Sequence, residues 1–234
     1  MKKLFLLFYL LPLSLSFAGK KSLYWDDTET LGDGRYQVEN YLFYTKTKED
    51  SEGSYIFNFT YGLKSKVDIA VNVPFGYLKA HGNTYSDMED PSFELKYKFY
   101  EKKDLSLAIK PFISLPFNKN SRFSEGEISY GLTLVSQVDH DKVIFYSNSS
   151  YMVHKNRPLG EKEFFQSLSL EYAITEEFSL ISSLYLSNYK RTEIGGVFGI
   201  GYSKGKVEVG VGLGKSFTSK NRYNLYGGLT YRFF

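Results

Sequence analysis

The chain contains no cysteine, which removes a disulfide framework, a thiolate metal site and a lipid-modified cysteine behind an export signal. Its three histidines, His81, His140 and His154, lack the spacing of a metal site, so neither a metal nor any other cofactor is expected. The formal net charge is only +3, too small a surplus to suggest a nucleic-acid partner. Beyond the first residues, no stretch approaches the ~20 consecutive apolar residues that a membrane-crossing helix needs. Proline and tryptophan are scarce, with six and one residues, whereas tyrosine and phenylalanine number 21 and 20. Aromatic residues of this kind favour strands.

The opening residues read as a leader. Met1-Lys2-Lys3 supplies a basic start, Leu4 to Leu11 a short apolar stretch, and Ser16-Phe17-Ala18 small residues for cleavage. This is the pattern of a secretory signal peptide, here residues 1–18. Losing Lys2 and Lys3 with it brings the net charge to +1.

From about residue 35 onward, apolar residues recur at every second position, the period of a strand with one polar and one apolar face. Tyr55, Phe57, Phe59, Tyr61 and Leu63 alternate with Ser54, Asn58, Thr60 and Gly62. Val67, Ile69, Val71, Val73, Phe75 and Tyr77 do the same against Asp68, Ala70, Asn72 and Gly76. Runs at 35–46, 54–63, 67–77, 93–99, 105–115, 126–137, 143–154, 163–173, 178–189, 193–203, 207–218 and 223–233 make twelve. Most are close to the ~9–11 residues of a tilted strand crossing a bilayer, and an even count suits a single-chain bacterial barrel.

Short turns alternate with longer links. Lys64-Ser65-Lys66, Glu101 to Asp104, Asp139 to Lys142, Thr175-Glu176-Glu177 and Ser203 to Lys206 are tight, whereas 47–53, 80–91, 118–125, 155–162 and 219–222 are longer polar connections. Outer-membrane barrels show this asymmetry, with short periplasmic turns and longer extracellular loops. Aromatics gather near both ends of the strands, Tyr44, Tyr55, Tyr77 and Tyr130 at one rim and Tyr36, Tyr61, Phe99 and Tyr231 at the other. Two such belts fit two membrane–water interfaces. The expected fold is therefore an all-β, closed antiparallel transmembrane barrel of about twelve strands. Residues 19–34 form an N-terminal periplasmic segment and 35–234 the barrel.

The polar face then points inward. It carries Arg35, Glu39, Asp68, Glu94, Lys96, Lys98, Lys110, Glu171, Glu208 and Arg232. Two readings stand: a charged constriction that selects permeants, or ion pairs that satisfy interior charge. The last three strands present Gly195, Gly199, Gly201, Gly210, Gly212, Gly214 and Gly228 inward. Such a bare wall leaves room for solute, accepts another stretch of backbone, or permits curvature. Residues 24–34 lack alternation and are the candidate stretch, with Trp25, Asp26 and Asp27 as possible plug contacts. Phe112, Tyr146, Tyr185 and Tyr226 face the lumen, suiting an aromatic permeant or serving as filler.

The segment Asp26 to Glu39, the Asp90-Pro91-Ser92-Phe93-Glu94-Leu95-Lys96-Tyr97-Lys98-Phe99 run and the closing Gly228-Leu229-Thr230-Tyr231-Arg232-Phe233 resemble the family described as "Putative MetA-pathway of phenol degradation". Glu29, and Pro116-Phe117-Asn118, depart from that family's more usual residues. The resemblance implies an outer-membrane β-barrel and leaves the solute open.

The expected function is passive passage of small solutes, weakly apolar or aromatic, through the bacterial outer membrane. The expected partners are outer-membrane lipids, the barrel assembly machinery and an unidentified small molecule. An enzyme is not expected. A hydrolase needs a nucleophile and base within hydrogen-bond reach, and His154 and Ser150 lie ~13 Å apart along one extended strand. A structural or adhesive barrel and a soluble periplasmic β protein are the remaining alternatives.

Overall fold

A computed structural model describes residues 26–124, 126–154, 162–188, 192–219 and 222–233. The proposed signal peptide, Trp25, most of the 155–162 link and Phe234 lie outside them. The elements are thirteen strands: β1 (Tyr36–Lys46), β2 (Ser51–Lys64), β3 (Val67–Ala80), β4 (Asn83–Met88), β5 (Ser92–Lys102), β6 (Leu105–Ser114), β7 (Ser129–His140), β8 (Val143–His154), β9 (Lys162–Ala173), β10 (Phe178–Ser187), β11 (Glu193–Lys204), β12 (Val207–Ser216) and β13 (Tyr223–Phe233).

Twelve of them close a barrel. Each of β5 to β13 pairs antiparallel with the next, β1 pairs with both β13 and β2, and β2 pairs with β3, which meets β5. The closing seam between β1 and β13 runs without a slip from Tyr36↔Phe233 to Lys46↔Tyr223. Closure matters because hydrocarbon offers no partner to an unpaired N–H or C=O.

The thirteenth strand, β4, lies within the stretch 80–91 expected to be a loop. β2 and β3 are the longest strands, at 14 residues each. The upper part of β3, from Phe75 to Ala80, outruns β5 and pairs with β4 instead. His81 and Gly82 both have positive φ, the geometry of a two-residue hairpin turn. The polar composition of Asn83-Thr84-Tyr85-Ser86-Asp87-Met88 hid this extension, since β4 lacks the apolar face of a lipid-crossing strand.

The polarity of the molecule is inverted relative to a water-soluble sheet protein. Among the described residues seven hydrophobic ones are buried, including Val135, Tyr146 and Ile181, while buried polar residues such as Gln37, Asn58, Gln137 and Glu171 line the inner wall. Large apolar side chains such as Phe59, Leu132, Leu184, Phe198 and Leu213 stand exposed around the circumference. A soluble protein rarely exposes a contiguous apolar patch beyond a few hundred Å², so lipid has to cover this belt. At the short-turn rim the aromatics touch: Tyr36 stacks on Phe233 at 4.7 Å, and Phe178 meets Tyr202 at 5.0 Å.

Phe59 faces outward between Val38 and Val71. Phe59→Arg is expected to destabilise the folded barrel by about 2–4 kcal/mol, the cost of a charge near the bilayer midplane. Urea unfolding in lipid vesicles checks this, and an unchanged midpoint would mean that no lipid lies against that face.

Candidate functional site

Residues 26–34 run inside the barrel near its short-turn end and are held by its wall. Asn148 on β8 grips the backbone of Asp26 at both polar groups: its amide donates to the Asp26 carbonyl at 3.0 Å and its side-chain oxygen accepts the Asp26 N–H at 3.0 Å. The Thr28 hydroxyl donates to Gln137 on β7 at 3.2 Å and also meets Ser106 on β6. The Leu31 N–H donates to the carboxylate of Asp68 on β3. Gly34 and Arg35 exchange backbone hydrogen bonds with Gly62 of β2 at 2.9 and 2.8 Å. A Cβ on Gly62 would fall 1.9 Å from the Gly32 carbonyl oxygen, so only glycine admits the segment there.

Charge does most to position it. Lys96 on β5 places its ammonium 2.7 Å from Asp26 and 3.2 Å from Asp27, and also donates to the carbonyls of Asp27 and Glu29. Lys110 on β6 pairs with Asp26 and, at 2.8 Å, with Glu94. Lys98 lies 3.4 Å from Glu29 and 3.1 Å from Glu101. Burial holds the Glu29 carboxyl above its ordinary range, with the Lys98 ammonium acting in the opposite sense. A carboxyl whose pKa rises on seating favours the seated form as pH falls, and this contribution is lost as pH rises through the raised value.

The ten wall residues expected to share the lumen fall into separate groups. Asp68, Glu94, Lys96, Lys98 and Lys110 converge on the segment. Across the barrel Arg232 pairs with Glu208 at 2.8 Å and donates to Gln37. Glu39 accepts from the Tyr41 and Thr230 hydroxyls, and Glu171 accepts from Tyr146 at 3.1 Å. Arg35 lies exposed at the rim of the same cavity. Gln137, Asn148 and Ser106, neutral polar residues on the inward face, were missed because charge, glycine and aromatic rings were taken as its signals. The alternation that found Lys96 and Lys110 marks them equally well.

The glycine-rich wall does not receive the segment. The Tyr185 hydroxyl and the Tyr226 ring close over Gly195 and Gly214, where a Cβ would lie 2.3 and 2.9 Å from them. Tyr146, Tyr185, Tyr226, Ile181 and Val197 form a buried cluster with Phe43, Ile144 and Phe165 packed against it. These tyrosines are filler on the β8–β13 side, which leaves the lysine-bearing side as the place where an acidic strap fits.

What stays open is a cavity of about 690 Å³ beside the segment. Asp26, Lys96 and Lys110 bound one side of it, and Tyr41, Phe43, Ile56 and Phe165 supply apolar surface. Nearer the long-loop end, His154 bonds Ser129 across the strand pair at 2.7 Å and Glu163 on β9 at 2.5 Å. Neither Ser149 nor Ser150 is its partner: these bond Gln166 and Thr133.

A family model described as "Putative MetA-pathway of phenol degradation" matches residues 18–233. The chain belongs to this family. No curated protein sequence matches this member of the phenol-degradation family. Among solved structures it is similar to the COG4313 outer membrane channel from Pseudomonas putida F1, at 13% identity and a TM-score of 0.74, covering 91% of this chain and all of that one. It is also similar to the KdgM porin in complex with disordered oligogalacturonate, at 8% identity, TM-score 0.61, and 85% and 99% coverage. The NanC porin follows at 11% identity, TM-score 0.58, and 84% and 100% coverage. At these identities the likeness establishes the fold that the family member shares with outer-membrane barrels.

Lys96→Met is expected to loosen the segment, since it leaves Asp26 and Asp27 inside the barrel without their shared cation. Limited digestion of the folded barrel with a protease that cuts after acidic residues should release peptides ending at Asp26, Asp27 or Glu29 several-fold faster. Equal cleavage rates would mean that the hydrogen bonds to Asn148, Gln137 and Asp68 hold the segment without Lys96.

Proposed function

We propose that this protein is a passive channel for small solutes in the bacterial outer membrane, with the N-terminal segment narrowing its lumen as a partial plug. The cavity carries the proposal: a space of about 690 Å³ lined by charged and apolar side chains inside a lipid-facing barrel is what a solute path requires. Twelve strands enclose more room than eight, whose interior side chains fill, and less than the 16 to 18 of a general porin. Folded partners are excluded on size. Two of the similar structures are named as porins and a third as a channel, which supports the same reading.

The chain would reach its site by export behind residues 1–18 and insertion by the barrel assembly machinery, and outer-membrane lipids would then cover the apolar belt. The lumen charges have a structural role in pairing with one another and with the segment. We assign Lys110 a second role, because it borders the cavity while bonded to carboxylates on both strap and wall.

A hydrolase draws on the Ser129, His154 and Glu163 cluster. Ser129 and His154 are only 2% and 3% exposed. A nucleophile so enclosed has no approach for an ester, and the cluster is better read as a clasp joining β7, β8 and β9 across the long-loop end.

The mature chain from residue 19, refolded and inserted into a planar bilayer, is expected to give discrete conductance steps. Lys110→Glu should shift its ion preference toward cations. A folded, heat-modifiable barrel that never conducts would overturn the channel assignment, and lipid hydrolysis that disappears in His154→Ala would replace it with the enzyme.

A further inference from the structure

We propose that Lys96 and Lys110 form a binding site for a small organic carboxylate with an apolar or aromatic body, and that the Asp26 side chain occupies this site while the segment is seated. The proposal rests on the channel reading for the solute's access.

Lys96 is nearly buried, its side chain 8% exposed, and every partner described for its ammonium comes from residues 26–29. Among the described residues, the partners of this strand-borne cation thus all come from the strap. The two oxygens of Asp26 are divided between two lysines on adjacent strands, one accepting from Lys96 and the other from Lys110. Two ammonium groups converging on one carboxylate make a strong, directional anion site. Besides the Lys98–Glu29 pair and the backbone bonds to Gly62, the strap's other contacts, to Asn148, Gln137 and Asp68, are hydrogen bonds that water can replace.

Withdrawal of the strap would take from the buried Lys96 ammonium every partner described for it, a costly change that an available anion relieves. The cavity states which anion fits. Lys96 and Lys110 line it together with Arg35, Arg232 and the carboxylates Glu39, Asp68, Glu89 and Glu94, and Tyr41, Phe43, Ile56 and Phe165 give it an apolar surface. A carboxylate carrying an aromatic or aliphatic body satisfies both. A neutral phenol lacks the charge, and an inorganic anion gains nothing from the apolar side.

The same geometry sets the ion preference. Five cationic wall residues among those assigned to the lumen face five carboxylates, and the seated strap adds Asp26, Asp27 and Glu29. The seated lumen is therefore acidic and favours cations, whereas neutralising the strap leaves a local excess of ammonium on β5 and β6.

Three refolded proteins test this: the mature chain, Asp26→Asn with Asp27→Asn, and that double variant with Lys96→Gln. In planar bilayers under a potassium chloride gradient, the double variant is expected to move its reversal potential toward chloride. Benzoate should half-block it at a several-fold lower concentration than the mature chain, with phenol as the neutral control. Adding Lys96→Gln should undo both changes. An unchanged reversal potential, equal action of phenol and benzoate, or benzoate block that survives Lys96→Gln would overturn the proposal. Benzoate binding to the detergent-folded barrels by titration calorimetry gives an independent reading. Binding by the double variant that Lys96→Gln abolishes supports the site even if no protein conducts, an outcome that defeats only the channel reading, and absence of binding overturns the site.

Discussion

The twelve wall strands of this protein have their backbone polar groups in or beside hydrocarbon, and the structure follows from satisfying them. An open sheet would leave two rows of N–H and C=O groups in lipid. The seam between β1 and β13 removes those rows, and its unbroken register fixes the position of every residue around the wall. Closure also makes an inside. Once apolar residues face lipid, the alternate residues face a confined lumen that is neither bulk water nor hydrocarbon.

That confinement accounts for the charge arrangement. An interior ion without a partner is costly, and a partner on the same or an adjacent strand is often the wrong sign or out of reach. On one side the wall solves the problem itself, with Arg232 against Glu208. On the other it does so only in part, with Glu94 beside Lys110 and Glu101 beside Lys98. Lys96 has its partners in residues 26–29, and Lys110 divides itself between Glu94 and Asp26. The N-terminal segment is thus a structural counter-ion for the wall as well as an occupant of the lumen, and both follow from the same contacts.

The two halves of the lumen differ in kind. The β8–β13 side packs tyrosines over glycines, so the missing side chains are replaced by rings from adjacent strands. The β2–β8 side packs the strap against lysines, amides and Gly62. A stripe of glycines looked like room for the strap because sequence reveals where side chains are absent but not which neighbour's ring swings into the space. The real opening for it was Gly62, a single glycine at the end of β2 that the sequence did not distinguish from its neighbours.

The sequence by itself determined the strand period, the twelve-stranded wall and the inversion of polarity. These depend on the alternation of side chains along one strand, a local property that survives any arrangement of the strands. Tertiary structure alone decided the pairings. Lys96 meets Asp26 across 70 residues, His154 meets Ser129 rather than the serines on its own strand, and β4 exists because β3 outruns β5. Each of these depends on strand length, register and closure, which bring together residues that no local pattern relates.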